Sequence, residues 1–145
     1  FIVNDRVALA MSAGADGAHV GQDDQPPEEA RVRLGPDLLL GLSTHDEDEI
    51  AGAAARGVDH VGLGPVFPTP TKDLEYPPQG VELVRRCLPL AGDLPVFPIG
   101  GLAPDNVRGL VEAGARRVAV GAGVLEALDP ADAVERIDAL LEAGS

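Results

Sequence analysis

The segment Ala13-Gly14-Ala15-Asp16 is followed almost at once by a short apolar run, Ala18–Val20, and this pattern decides the fold. Similar junctions occur at Arg56-Gly57-Val58-Asp59 and at Ala113-Gly114-Ala115-Arg116, each again followed by an apolar run. A glycine just past the last turn of a helix adopts the left-handed conformation that ends the helix. Each repeat is therefore predicted to contain a helix that ends at glycine and a strand that follows it.

The repeat has a period close to 22 residues. The predicted helix-ending glycines are Gly14, Gly35, Gly57, Gly92 and Gly114. One interval, from Gly57 to Gly92, spans 35 residues and predicts a long loop in that unit. The predicted strands are Phe1–Val3, Ala18–Val20, Leu38–Leu42, His60–Leu63, Pro95–Ile99 and Val118–Val120.

The predicted strands lack polar alternation, which is typical of a parallel sheet covered by helices. Repeated β/α units build either an open doubly wound sheet or a closed (β/α)8 barrel. Eight units of 22 residues with the longer loop would need about 189 residues, near the lower end for a barrel. The chain of 145 residues holds six such units.

The composition excludes several functional classes. A formal charge of −13, from 24 acidic and 11 basic residues, repels phosphate backbones, so we expect no nucleic-acid partner and no anionic-membrane partner. The single cysteine, Cys87, allows neither an internal disulfide nor a thiolate metal cage and is predicted to be buried. No run of about 18 uncharged apolar residues occurs. These features predict a cytoplasmic protein.

Two helix starts carry capping signals. Thr44 and Glu47 have the spacing of a capping box. Asp129 precedes Pro130, which places an acceptor before a first-turn proline. We therefore expect one helix to begin after Thr44 and another at Pro130.

Polar or glycine-rich segments follow the predicted strands. They are Asn4-Asp5, Gly21-Gln22-Asp23-Asp24, Ser43-Thr44-His45, the loop from Gly64 to Lys72, Gly100-Gly101 and Gly121-Ala122-Gly123. Because chemistry in such folds collects at the carboxyl ends of the strands, these segments together form the candidate site. His19 and His60 lie within strands and are predicted to be interior histidines rather than catalysts, whereas His45 at a helix start fits either role.

Three features of this candidate site predict an anionic ligand. The glycine-rich segments Gly100-Gly101 and Gly121-Ala122-Gly123, each before a helix, can direct backbone N–H groups at a phosphate, although glycine also simply permits tight turns. Asp5 and Asp24 follow neighbouring strands and can hold Mg²⁺, with helix capping as the alternative. Lys72, the only lysine, follows Thr69 and Thr71 in the long loop.

These residues resemble the motifs of the thiamine phosphate synthase (thiamine-phosphate pyrophosphorylase) family of (β/α)8 barrels. The matching segments are residues 1–6 (FIVNDR), 17–24 (GAHVGQDD), 41–45 (GLSTH), 62–72 (GLGPVFPTPTK) and 99–101 (IGG). The resemblance implies one α/β domain over residues 1–145, a TIM barrel represented by strands three to eight, with no counterpart of the first two β/α units.

The resemblance also implies an activity and residue roles. Family members are transferases of thiamine biosynthesis that join hydroxymethylpyrimidine diphosphate to a thiazole phosphate, giving thiamine phosphate and diphosphate, with Mg²⁺ as cofactor. Asp5 and Asp24 match the Mg²⁺ ligands. Asn4, Ser43 and Lys72 match contacts to the pyrimidine diphosphate and are also the candidate catalytic groups. Thr69, Thr71 and Gly101 match contacts to the thiazole phosphate. Gly121 and Ala122 stand where the family usually has a hydroxyl residue and offer only backbone donors to the phosphate.

Two other functions remain open from the sequence. One is a thiazole tautomerase-like isomerase, which the Asp5 and Asp24 pair and Lys72 disfavour. The other is a non-catalytic phosphate-binding barrel fragment. Small phosphorylated molecules are the expected partners in all three cases, and a homo-oligomer is a further alternative because the sheet edges at residues 1–3 and 118–120 would otherwise be unpaired.

Overall fold

Five parallel strands form one sheet in the order β1-β2-β3-β4-β5. The structure is a computed structural model that describes residues 1–69 and 76–144. The strands are β1 Ile2–Asn4, β2 Gly17–Val20, β3 Leu39–Thr44, β4 His60–Leu63 and β5 Val96–Pro98. Each strand pairs with the one before it in the chain, as the repeat predicts.

Helices connect and follow these strands. They are α1 Val7–Ser12, α2 Pro27–Leu34, α3 Glu47–Ala53, α4 Gly80–Cys87, α5 Val107–Glu112, α6 Ala122–Leu125 and α7 Pro130–Ala143. Single 3₁₀ turns extend α3 through Ala54–Arg56 and α4 through Leu88–Leu90. The architecture is therefore α/β, and among the described residues the sheet is open rather than closed into a ring.

The strand order of the described residues lacks a feature of one of the two predicted architectures. A doubly wound sheet reverses its strand order at a switch point, so that its helices cover both faces. The five described strands follow one another without a reversal. The described strands therefore follow one another in one direction only.

The two faces of the sheet carry different side chains because successive strand residues point to opposite sides. One face is aliphatic and fully covered by helices. Its residues are Ala18, Val20, Leu40, Leu42, Val61 and Leu63, all buried. The residues between them point to the other face, where His19, Ser43 and His60 remain partly exposed.

The helix-ending glycines are confirmed. All five predicted positions have a positive φ, between 59° and 104°. At Gly57 the backbone is left-handed, and its N–H donates to the carbonyl of Ala54 at the end of the 3₁₀ turn. The repeat in the sequence is therefore a repeat of helix ends.

Arg31 links two consecutive β/α units through hydrogen bonds. Its guanidinium donates to the carbonyl oxygens of Gly35, Leu38 and Gly57 and to the carboxylate of Asp59, at 2.5–2.9 Å. The same Asp59 oxygen accepts the backbone N–H of Leu40, at 2.7 Å. One side chain thus holds the end of α2, the approach to β3 and the approach to β4.

Two expectations about element ends need correction. The predicted sixth strand, Val118–Val120, is only a single bridge between Ile99 and Ala119. The predicted capping box at Thr44 is wrong, since β3 runs through Thr44, whose buried hydroxyl donates to the carbonyl of Gly62 at 3.0 Å. Asp46 caps α3 instead and accepts the N–H of Glu49.

Other local expectations are confirmed. Asp129 caps α7 by accepting the N–H groups of Ala131 and Asp132, directly before Pro130. Cys87 is fully buried with a free thiol. Within residues 1–69 and 76–144, no helix has both the length and the apolar character needed to cross a membrane.

Replacing Gly17 of β2 with alanine tests the close pairing of β2 and β3. A Cβ at Gly17 would overlap the backbone of Leu39, its register partner. We expect Gly17→Ala to lower the free energy of unfolding by about 1–3 kcal/mol, measured by urea denaturation. The control Gly52→Ala places its Cβ in open space on α3 and should stabilise the protein by up to about 1 kcal/mol. Equal unfolding midpoints for the two variants would contradict the pairing.

Candidate functional site

The ends of β1 and β2 bring two acidic segments side by side. Asn4 is in register with His19, so the residues after each strand leave the sheet at the same edge. Asp5 has a φ of +62°, which is uncommon for a residue with a side chain, and its N–H donates to the carbonyl of His19 at 2.7 Å. The Asn4 amide donates to Oδ1 of Asp5 at 2.6 Å. This strained turn fixes the Asp5 carboxylate beside β2.

The Asp24 carboxylate closes the loop after β2. Its Oδ2 accepts the backbone N–H of Gly21 at 2.7 Å. A Cβ at Gly21 would lie 3.1 Å from that same oxygen, so the small residue makes room for it. The hydrogen bond uses only one of the two carboxylate oxygens.

Helix capping does not account for either carboxylate. The residue at the N-cap of α1 is Arg6, and the one at the N-cap of α2 is Pro26; neither helix has a side-chain cap. Two hard oxygen donors of the kind that Mg²⁺ prefers thus lie after adjacent strands. Among the described residues, no group of three or more His, Cys, Asp or Glu side chains is arranged to hold a metal ion.

A polar chain crosses the open face of the sheet beside these carboxylates. Nε2 of His19 lies 3.0 Å from Oγ of Ser43, and Nδ1 lies 3.4 Å from Nε2 of His60. Gln22 donates to the carbonyl of Ser43 at 2.8 Å, which ties the loop after β2 to the end of β3. Ser43, predicted as a substrate contact, is thus contacted by β2 and by the loop that follows β2.

The two histidines lie within strands and are partly buried, but their contact with each other and with Ser43 was not foreseen. Strict alternation along β2, β3 and β4 places His19, Ser43 and His60 on one face, and that signal was available in the sequence. The missing information was the register, which puts Gly41 between the two imidazoles.

Both imidazoles are held in the neutral form. Burial and, to a smaller extent, the neighbouring His60 lower the pKa of His19 from 6.5 to about 4, while Asp24 acts in the opposite direction. Burial also lowers the pKa of His60, with Asp59 acting against it. At neutral pH each ring therefore carries one N–H donor and one bare nitrogen acceptor.

The loop after β4 is anchored where it begins. Val66 and Phe67 donate their N–H groups to the carbonyls of Ile99 and Gly100, at 2.9 and 3.0 Å. A Cβ at Gly101, whose φ is +61°, would overlap the carbonyl oxygen of Pro68. The chain leading to Thr69 therefore packs directly on the predicted phosphate-binding glycines, whereas Thr71 and Lys72 lie outside the described residues.

The loop after β5 is braced by Asn106. Its amide donates to the carbonyl of Gly101 at 2.9 Å, and its Oδ1 accepts the N–H of Ala103 at 3.0 Å. Gly121 directly precedes α6, which starts at Ala122. In the part of the chain that the structure describes, the N–H groups of Gly101 and Gly121 donate no hydrogen bond to the protein backbone.

His45 makes contacts that connect parts of the fold. Its Nδ1 lies 2.9 Å from a carboxylate oxygen of Glu49, and its ring stacks on Tyr76 with centroids 3.9 Å apart. Gln79 donates to the carbonyl of His45 at 2.9 Å. His45 thus joins the end of β3 to the chain before α4.

Cys87 offers no nucleophile, because burial raises the pKa of its thiol to about 11.

A model of the thiamine monophosphate synthase family matches residues 1–124. The chain belongs to that family. The thiamine-phosphate synthase of Anaeromyxobacter dehalogenans is 48% identical over 99% of the chain, and that of Mycobacterium leprae is 44% identical over all of it. The chain spans 64% and 63% of the lengths of these two relatives.

One solved structure agrees with the thiamine monophosphate synthase family assignment, and a second resembles the chain in fold. The thiamine phosphate pyrophosphorylase of Pyrococcus furiosus superposes with a TM-score of 0.84 at 33% identity, covering 99% of this chain and 68% of that one. The 3-hexulose-6-phosphate synthase of Salmonella typhimurium superposes with a TM-score of 0.72 at 18% identity, covering 96% of this chain and 67% of that one. This likeness concerns the fold alone.

The lowered pKa values of His19 and His60 predict how stability depends on pH. The unfolded chain binds protons at these groups near pH 6.5, whereas folded His19 binds its proton only near pH 4. The free energy of unfolding should therefore be highest above pH 6.5 and fall towards pH 4, with a slope of at most about 1.4 kcal/mol per pH unit for each histidine.

Urea denaturation at pH 7, 6 and 5 measures this slope. His19→Gln should make it shallower, because one of the groups that titrate in this window is removed. A slope unchanged in His19→Gln would contradict the burial of a neutral His19.

Proposed function

We propose that the chain is the greater part of a (β/α)8 barrel with thiamine phosphate synthase activity. Family membership supports the activity, and the unreversed order of five parallel strands supports the barrel. The observation that carries the site is that Asn4-Asp5, Asp24 and Ser43 lie at or just beyond the carboxyl ends of three consecutive strands, at one edge of the sheet. We place the reaction at this edge, in the cytoplasm.

The proposed reaction exchanges one bond for another. The carbon–oxygen bond between the pyrimidine methylene and the diphosphate breaks, and its electron pair leaves with the diphosphate. The thiazole nitrogen lone pair then forms the new carbon–nitrogen bond to the methylene. The products are thiamine phosphate and diphosphate, and no protein nucleophile takes part, in agreement with the buried, protonated thiol of Cys87.

Asp5 and Asp24 fit a role as Mg²⁺ ligands. Both are carboxylates after adjacent strands, neither caps a helix, and the hydrogen bond from Gly21 leaves the second oxygen of Asp24 for another partner. A bound Mg²⁺ would supply positive charge to the departing diphosphate. Asp5, fixed in its turn by the N–H···O bond to His19, would hold the ion beside β2.

The remaining residues bind the two substrates in this proposal. Asn4 and Ser43 contact the pyrimidine diphosphate, and Lys72 stabilises the negative charge that grows on the leaving group. Thr69 and Thr71 bind the phosphate of the thiazole together with the backbone N–H groups of Gly101, Gly121 and Ala122. The thiazole phosphate is thereby anchored so that its nitrogen lies close to the methylene carbon.

The test of this function is product formation. The folded chain, incubated with both substrates and Mg²⁺, should release diphosphate and thiamine phosphate in equal amounts, measured by chromatography. Omitting the thiazole phosphate should remove the thiamine phosphate product. Binding of either phosphorylated substrate without any product would instead identify a phosphate-binding protein and overturn the proposed activity.

The two neighbouring aspartates after β2 provide a matched test of the metal site. Asp24→Asn should lower the rate about a hundredfold at limiting Mg²⁺, because one charged ligand is lost. Asp23→Asn removes the same charge one residue away, from an exposed side chain, and should leave the rate unchanged. Initial rates over a Mg²⁺ titration measure both. Equal effects of the two substitutions would contradict the assignment of Asp24.

A further inference from the structure

The register of the sheet places two histidines in one row with a glycine between them. His19 on β2 is paired with Gly41 on β3, and Gly41 is paired with His60 on β4. A Cβ at Gly41 would overlap both Nδ1 of His19 and Nε2 of His60. Two imidazoles from strands that are not neighbours can therefore meet only because residue 41 has no side chain.

The two imidazoles continue into a chain of polar contacts that ends at Ser43. Nδ1 of His19 faces Nε2 of His60 at 3.4 Å, and Nε2 of His19 faces Oγ of Ser43 at 3.0 Å. Both ring nitrogens of His19 are thus engaged. The ring of His60 is held on another side by an edge-to-face contact with Phe97, with centroids 5.7 Å apart and an interplanar angle of 82°.

We propose that His60 is a positioning residue that orients the Ser43 hydroxyl through His19. In this arrangement Nε2–H of His60 donates to Nδ1 of His19, which holds His19 as the Nε2–H tautomer. Nε2–H of His19 then donates to Oγ of Ser43, and the Ser43 hydroxyl hydrogen is left for the substrate. This inference rests on the proposed function, in which Ser43 contacts the pyrimidine diphosphate.

The direction of the chain follows from the charge of that substrate. A nitrogen-to-nitrogen contact between two imidazoles holds one hydrogen, so one ring must donate and the other must accept. With the opposite direction, Nε2 of His19 would accept the hydroxyl hydrogen of Ser43. Ser43 would then present only lone pairs to a diphosphate, which is itself acceptor-only. Donation by His60 is the arrangement that leaves Ser43 a donor for an anion.

The tautomer of His19 can be measured without substrate or turnover. Long-range ¹⁵N–¹H correlation spectra of the ¹⁵N-histidine-labelled chain at neutral pH should show His19 protonated at Nε2 and bare at Nδ1. His19 protonated at Nδ1 would overturn the proposal. Because this spectrum requires no activity, it tests the hydrogen-bond chain even if the proposed enzyme activity is not found.

Substitution of His60 separates positioning from simple packing. His60→Phe keeps a ring in the row but removes the donor, so His19 should populate both tautomers. The KM for the pyrimidine diphosphate should rise about three- to tenfold, the usual effect of losing one hydrogen bond, with a smaller change in kcat. His60→Gln retains an N–H donor and should restore both the tautomer and the KM.

A second variant separates the imidazoles without removing either. Gly41→Ala must push them apart and should reproduce the tautomer mixture of His60→Phe, with Gly52→Ala as the matched control. If Gly41→Ala does not fold by circular dichroism, the pair His60→Phe and His60→Gln decides. An unchanged His19 tautomer in folded His60→Phe would overturn the proposal, as would equal KM values for His60→Phe and His60→Gln.

Discussion

The register of the parallel hydrogen-bond ladder is the constraint on which the rest of the molecule depends. Neighbouring strands are offset so that Ala18, Leu40 and their equivalents all point to the helices, and a slip of one residue would turn them to the open face. The same register decides which side chains meet on that face. The aliphatic core and the polar row of His19, Gly41 and His60 are therefore two consequences of one alignment.

The helix-covered face explains why so much of the fold could be predicted from the sequence. Buried aliphatic runs and helix-ending glycines are local signals, and both repeat at a nearly constant period. Gly57 illustrates the second signal, since its left-handed backbone ends one unit just before the next strand begins. The signals fail where tertiary contacts override local preference. Thr44 has the spacing of a helix cap, yet it is buried in β3, where its hydroxyl donates a hydrogen bond to the carbonyl of Gly62 on the neighbouring strand.

The site could be predicted in part for the same reason. Residues that follow a strand, such as Asp5 and Asp24, can be placed at one edge of the sheet from chain order alone. Contacts within the open face depend on cross-strand register, which no local pattern reports. The meeting of His19 and His60 over Gly41 is of this second kind, because the three residues are far apart in sequence and only their pairing brings them together.

The distribution of charge limits how this acidic chain can bind an anion. Arg31, Arg56, Arg85, Arg86 and Arg136 all form ion pairs with aspartates or glutamates. These arginines lie on helices or on the 3₁₀ turn that extends α3, and their ion pairs offset part of the negative charge of the chain.

Under the proposed function, a diphosphate at the strand ends meets a different set of partners. They are backbone N–H groups near glycines, hydroxyl donors such as Ser43, a cation held by Asp5 and Asp24, and the single lysine. The contribution of each of these groups to anion binding depends on its position rather than on the net charge of the chain, which is −13. Such a site therefore selects its anion by geometry, since the surrounding field repels any anion that cannot reach all of these groups at once.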